Sequence, residues 1–299
     1  MMLNLNAMTT ESRNPNTMEL DTMSALEIVT VMNREDEKIP QAIRQRLPEI
    51  ARCAELAAEA IRTGGRVVYM GAGTSGRLGV LEAVECPPTF GVPYGTVIGL
   101  VAGGSTTAFD KPVEDAEDKP EEGIKDLKAI GLKKEDVLIG IAASGRTPYV
   151  LGGLEYARSL GCRTAAIVCN GNSPMAAAAE LAIEVYPGPE CVTGSTRLKA
   201  GSCQKQILNM ISTASMVLCG KVYQNLMVDV DPCNEKLVIR ARKIVMEATG
   251  CEEVVAAEAI SQAGGHAKTA ITMILADCGA EEAKLRLNRA GGHVREAIR

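Results

Sequence analysis

Five short apolar runs, most of them followed by small residues and then by a stretch of helical spacing, restrict this chain more than anything else in it. They are Val67 to Met70, Val97 to Val101, Val137 to Ala142, Ala165 to Cys169 and Ala182 to Val185. Short apolar strands alternating with helices argue for βαβ units, in which strands pair in parallel and helices cover both faces. Strands buried on both sides read as continuous apolar runs, as these do. Ligands of such sheets bind at the carboxyl ends of the strands, so the loops leaving the runs are where chemistry is expected.

The side-chain inventory fits that architecture. Of 299 residues, 46% are hydrophobic but only 3% aromatic, with no Trp, so the core must be built from aliphatic side chains, Ala and Met. The length suffices for one large α/β domain with an appendage, without a disulfide or metal staple. Residues 1–50 read as an N-terminal arm and lead-in helix. The Thr9 to Thr17 stretch is polar, with no strand pattern, and suits an arm or a loop that folds over something. From about Pro40, Ile43, Leu47, Ile50, Ala54 and Ala57 follow helical spacing until Gly64-Gly65. Residues 51–232 hold the strands and a long helix from about Lys199 to Cys219. Residues 233–299 show only helical patterns, broken at Gly250, Gly264-Gly265, Gly279 and Gly291-Gly292, and read as a small all-helical domain.

The formal net charge is -5, and no basic block, stacking-aromatic stripe or zinc-finger spacing is present. A nucleic-acid partner is therefore not expected. No apolar run reaches the roughly 18 residues a membrane helix needs, so no membrane partner is expected either. The ten cysteines are scattered without a C-x-x-C pair and sit mostly in apolar runs, which suits buried thiols in a reducing compartment. The chain is expected to be cytoplasmic. An anionic ligand has to be held locally, by helix N-termini and a few arginines.

Three loops offer such places. Gly71-Ala72-Gly73-Thr74-Ser75-Gly76-Arg77 follows the first run and opens a helix, Ala142-Ala143-Ser144-Gly145-Arg146-Thr147-Pro148 follows the third, and Thr193-Gly194-Ser195-Thr196-Arg197-Leu198-Lys199 precedes the long helix. Glycine allows close backbone approach to an anion, hydroxyls donate to its oxygens, and a helix N-terminus adds about half a positive charge. The candidate phosphate ligands are Gly73, Thr74 and Ser75, then Ser144, Gly145, Arg146 and Thr147, then Ser195 and Lys199. The competing account is that these hydroxyls only cap helices. G-x-G-x-x-G also fits a dinucleotide fingerprint, but the second run ends in Ala102-Gly103-Gly104 and supplies no acid for a ribose. No Walker-type loop is present, which argues against a triphosphate.

Acid–base groups are scarce. Only His266 and His293 exist, each after a Gly-Gly break, which suits solvated or capping histidines. Carboxylates come first: Glu82 and Glu85 in the helix opened by the first loop, and Glu114 and Glu117, flanked by Asp115 and Asp118, after the second run. Glu82, Glu114, Asp115 and Asp118 read as solvated helix-face acids. Glu85 differs, because Ala83, Val84, Cys86, Pro87 and Pro88 surround it, an apolar context expected to raise a carboxyl pKa.

The G-T-S-G-R and S-G-R-T-P loops resemble those of the SIS fold, the phosphosugar isomerase domain. The whole chain is similar to the N-acetylmuramic acid 6-phosphate etherases, through Thr10 to Asn14, Gly71 to Arg77, Glu85 to Gly91, Ala116 to Asp118, Gly140 to Tyr149, Thr193 to Gly201, Asn225 to Val230 and Asn234 to Leu237. The resemblance implies a three-layer α/β/α sandwich with a parallel sheet plus the helical C-terminal domain, a sugar-phosphate substrate, a homodimer, and neither cofactor nor metal. It places the catalytic pair on Glu85 and Glu117 and phosphate contacts on Thr74, Ser75, Ser144 and Thr147. Departures from the family pattern stand at Ser105, Pro112 and Asp115. The same loops would serve a phosphosugar isomerase or deaminase, or a non-catalytic sensor resembling the glucokinase regulatory protein.

Overall fold

Branched apolar side chains pack well on a pleated surface, and each of the five runs forms a strand: β1 (Val67–Gly71), β2 (Val97–Val101), β3 (Val137–Ala142), β4 (Arg163–Val168) and β5 (Leu181–Glu184). In the computed structural model of the chain, which describes residues 8–104, 114–230 and 235–299, they pair in parallel in the order β2-β1-β3-β4-β5. Ser105, Pro112, Cys233 and Asn234 lie outside the described residues, as do the side chains of Glu114, Glu235 and Lys236. Central strands β1 and β3 are buried at every position, whereas β2 and β5 at the edges are partly exposed.

Helices lie on both faces of the sheet. On one, Val68, Met70 and Leu138 share a cluster with Leu127 of a helix over Pro120–Ala129 and with Tyr149, Val150 and Leu154 of the next, Pro148–Ser159. On the other, a Cβ added to Gly79 would stand 2.9 Å from the Cβ of Tyr69, so glycine lets the helix over Gly73–Phe90 lie directly on β1. In chain order the helices are α1 (Ala25–Asp36), α2 (Lys38–Arg44), α3 (Leu47–Arg62), α4 (Gly73–Phe90), α5 (Pro120–Ala129), α6 (Pro148–Ser159), α7 (Pro174–Ala178) and α8 (Lys199–Leu218).

The N-terminal fifty residues depart from the sequence expectation in two ways. Short 3-10 turns at Thr9–Glu11, Pro15–Thr17 and Leu20–Thr22 lead into a helix, α1, rather than continuing as an irregular arm. Its signal is a capping box, Ser24 with Glu27; its apolar residues gave no core stripe because Leu26 and Val29 are exposed. The helix expected from Pro40 is two helices, broken at Gln45 and Arg46, with Pro48 in the first turn of α3, where its missing N–H costs nothing.

Two units emerge. One comprises Met1–Val84 and Gly95–Ser212 and holds the sheet; the other comprises Glu85–Tyr94 and Thr213–Arg299. In the second, a hairpin of β6 (Val222–Tyr223) and β7 (Leu226–Met227) precedes α9 (Glu235–Thr249), α10 (Glu253–Gln262), α11 (Ala267–Ala276), α12 (Ala280–Arg289) and α13 (Val294–Ala297). Buried from Ala267 through Met273, α11 is the centre of this bundle. Gly91 ties the 85–94 segment to it: at φ +59° a Cβ there would fall 2.0 Å from the Asp229 carbonyl oxygen. Among the described residues no helix is long and apolar enough to cross a membrane.

Candidate functional site

Strand order reverses at β1, which pairs with β2 on one side and β3 on the other. Crossovers on either side of such a point diverge and leave a crevice at the strand ends. The first and second loops leave β1 and β3 there, level with each other because Gly71 pairs with Ile141. The sequence thus delivers both loops to one place.

Each loop is shaped by glycine. A Cβ on Gly76 would meet the Gly71 carbonyl oxygen at 2.5 Å, and one on Gly145, at φ +68°, would meet the Ser173 Cβ and Oγ at 2.4 Å. In the first loop Ser75 is buried and its hydroxyl donates to Gln204 Oε1 of α8 at 2.8 Å. Thr74 packs at the start of the same helix, its methyl 3.4 Å from where Gly201 would carry a Cβ. In the second loop Ser144 Oγ accepts from the Arg146 N–H at 3.2 Å. Thr147 holds the N-cap position of α6 without a side-chain capping bond, so capping does not account for its hydroxyl.

Glu117 is brought to this place through its main chain, which accepts from the Tyr149 N–H at 3.0 Å in the first turn of α6. Its side chain is exposed. The N-terminal motif arrives as well. Asn170, just beyond β4, donates to Thr10 Oγ1 and to the Ala143 carbonyl, both at 2.9 Å, and accepts from the Thr10 N–H. The arm therefore folds onto the strand ends of its own sheet. Neither Asn170 nor Gln204 stood out in the sequence, since a lone amide in an apolar context carries no pattern.

The third loop turns out differently. Its helix, α8, directs the N–H groups of Lys199 and Ala200 at the two carboxylate oxygens of Glu190, each at 2.9 Å, and Glu190 is fully buried. Burial pushes that carboxyl up, and the two backbone bonds pull against the shift. The expected ligand Lys199 is fully buried too, and its Nζ donates to Glu35 Oε2 at 2.6 Å. An isolated buried charge is too costly to keep, so the two form a pair. Asn14, Asn16 and Lys38 also donate to Glu35. Burial pushes the Glu35 carboxyl up, but these four donors outweigh it and bring it down to about 2. The Lys199 ammonium is thus engaged in an internal ion pair, where the sequence had offered it to an anion. Ser195 stands in the turn before α8, its N–H bonded to the Val192 carbonyl.

Glu85 is the first residue of the second unit and is exposed. The expected apolar enclosure is absent for a geometric reason. At 3.6 residues per turn, Ala83, Cys86, Pro87 and Phe90 face inward while Val84, Glu85 and Pro88 face out. Glu82, expected to be solvated, instead accepts from Asn209 Nδ2 at 2.6 Å and from the Ser212 hydroxyl. Asp115 and Asp118 are exposed, as expected of surface acids. His266 occupies the N-cap position of α11, and His293 Nε2 lies 3.2 Å from the Leu218 carbonyl. Among the described residues no group of three or more His, Cys, Asp or Glu is placed to hold a metal ion.

Known proteins fit this geometry. The glucokinase regulatory protein N-terminal SIS domain family matches residues 49–158, and the SIS domain family matches residues 112–212. An N-acetylmuramic acid 6-phosphate etherase of Pectobacterium atrosepticum is 57% identical over 296 residues, 99% of this chain and 97% of its own. This chain belongs to the N-acetylmuramic acid 6-phosphate etherase family. Etherases of Exiguobacterium sp. (56% identity, 98% of this chain and all of theirs) and Mycolicibacterium smegmatis (53%, 99% of each) match over similar lengths. The SIS fold of the etherase family is also visible in solved structures. A phosphoheptose isomerase from Francisella tularensis superposes with a TM-score of 0.52 at 16% identity, covering 65% of this chain and all of its own. One from Neisseria gonorrhoeae gives 0.50 at 18%, covering 65% and 99%.

Proposed function

We propose that this etherase-family chain is a carbon–oxygen lyase that cleaves the D-lactyl ether of N-acetylmuramic acid 6-phosphate, yielding N-acetylglucosamine 6-phosphate and D-lactate in the recycling of cell-wall amino sugars. The carrying observation is the full-length similarity to etherases at 53–57% identity. Two hydroxyl-bearing loops meeting at the strand-order reversal support the phosphate end of the reading.

The phosphate would lie on Gly73, Thr74 and Ser75 of the first loop and on Ser144, Gly145, Arg146 and Thr147 of the second, whose hydroxyls and backbone N–H groups are the donor types an anion takes. In the open-chain sugar the C2 proton is α to the aldehyde and the lactyl ether is β to it. Glu117 removes the C2 proton, and Glu85 protonates the departing ether oxygen. Glu85, now a carboxylate, then takes a proton from the water that adds at C3 of the unsaturated intermediate, and protonated Glu117 returns its proton to C2, so both carboxyl groups end as they began. Each proton transfer by a positioned carboxyl contributes about 10²- to 10⁴-fold. The reaction runs on carboxylates because the aldehyde itself acidifies the proton.

Nine described cysteines are free thiols, which suits the cytoplasm, and we assign the working enzyme as a homodimer. The match to the glucokinase regulatory protein SIS domain favours one second reading, a sugar-phosphate sensor without turnover. The decisive experiment incubates EDTA-treated protein with N-acetylmuramic acid 6-phosphate and assays D-lactate beside Glu85→Gln and Glu117→Gln. Lactate from wild type with losses of about 10²-fold or more in both variants is the expected result. Binding of the sugar phosphate without lactate would overturn the lyase reading in favour of the sensor.

A further inference from the structure

Gln204 is a buried polar side chain that the chemistry above leaves unused. It projects from α8, is 1% exposed, and accepts the Ser75 hydroxyl proton through Oε1 at 2.8 Å. Its Nε2 is buried with no hydrogen-bond partner. Two N–H donors are thus kept out of water and unused, a state proteins rarely retain without a reason. One turn earlier on the same helix face, Gly201 abuts Thr74, so this stretch of α8 backs the first loop directly.

We propose that Gln204 is a positioning residue that sets the direction of the Ser75 hydroxyl and so tunes the phosphate site; this rests on the assignment of the first loop to the phosphate. A hydroxyl has one proton and two lone pairs. While Ser75 donates to Gln204 it has no proton to give an anion. Rotation of the Gln204 amide by about 180° about its last side-chain bond, a broad, roughly two-fold torsion, exchanges the roles. Nε2 then donates to Ser75 Oγ, and the freed Ser75 proton turns to a phosphate oxygen. The amide thus makes Ser75 a charge-assisted donor only when an anion is present, and such bonds are the strong ones. No covalent bond changes, and no proton leaves its atom.

The test uses the full chain with D-lactate release as the rate assay and calorimetric binding of N-acetylglucosamine 6-phosphate as an independent readout. Gln204→Met keeps the volume but removes the amide that donates to Ser75 Oγ in the bound state, so the hydroxyl is neither aimed nor polarised towards the anion; KM and the sugar-phosphate Kd are expected to rise about 3- to 5-fold with kcat within about 2-fold, a fraction of one charge-assisted bond. Gln204→Glu, an acceptor only when ionised, is expected to weaken binding further. In a double-mutant cycle, Ser75→Ala/Gln204→Met should match Ser75→Ala alone, because Gln204 acts through Ser75. Thermal unfolding separates this from a purely structural role: the loss of the Ser75 bond and the removal of an unsatisfied buried amide oppose each other, so the Tm of Gln204→Met should stay within a few degrees of wild type. Unchanged Kd in Gln204→Met, or losses that multiply in the double variant, would overturn the proposal. If wild type binds the sugar phosphate but releases no lactate, only the lyase reading falls and the calorimetric arm still decides on Gln204. If it binds no sugar phosphate, both fall.

Discussion

The loop after β1 and the loop before α8 are near twins in sequence, Gly73-Thr74-Ser75-Gly76-Arg77 against Gly194-Ser195-Thr196-Arg197, yet the fold places them in different surroundings. The first leaves β1 at the reversal of strand order, level with the second loop as it leaves β3. The other opens a helix whose first N–H groups are taken by Glu190 and whose first side chain, Lys199, is taken by Glu35. A helix N-terminus favours an anion from any source. Composition marks the demand for negative charge, and only the fold says whether a ligand or the chain itself supplies it. The internal anions also have a structural effect, since Asn14 and Thr17 of the N-terminal segment are held by Glu35, Pro189 and Cys191 beside them.

Lys199→Met attacks this contrast where the effect should be greatest. It leaves the Glu35 carboxylate buried with its main partner gone, a loss of about 3 to 5 kcal/mol, readable by urea unfolding. Stability unchanged with KM raised instead would return Lys199 to the ligand set and erase the difference between the loops.

The same network carries a pH signature. Glu35 titrates at about 2 in the folded protein, against about 4.3 in an unfolded chain. A carboxyl depressed by folding contributes its full stability above the unfolded value and loses it as pH falls from about 4.3 towards 2. Between those limits wild type should lose stability more steeply than Glu35→Gln in urea unfolding at stepped pH. Parallel curves would mean that the four donors to Glu35 are not formed in solution.

Glu190→Gln is expected to cost less, about 1 to 3 kcal/mol, because the neutral amide keeps one good acceptor for the two N–H groups of α8. On the other side of the contrast, Thr147→Ala removes a hydroxyl that caps nothing. It should raise KM about 10-fold while moving stability by no more than about 0.5 kcal/mol. An equal loss of stability would make Thr147 a structural residue. The smallest effect is expected from Arg197→Ala, an exposed side chain of the third loop. KM should stay within about 2-fold; a larger rise would show that this loop reaches substrate after all.

By itself the sequence determined a parallel α/β sheet with helices on both faces, because strands buried on two sides have to be continuous apolar runs and the glycine-rich loops between them punctuate the chain. It also determined that the first two loops leave the sheet at the same edge, since any doubly wound parallel sheet gathers such loops at the carboxyl ends of its strands. What it left open was decided by pairings distant in the chain. Lys199 meets Glu35 across 164 positions, Asn170 meets Thr10 across 160, and Gln204 meets Ser75 across 129. A polar side chain's identity states what it can bond to but not where its partner will be, and burial makes finding that partner obligatory. The two glutamates show the same division. Motifs chose Glu85 and Glu117, but it took the helix phase to turn Glu85 outward and the Tyr149 N–H to bring Glu117 to the second loop.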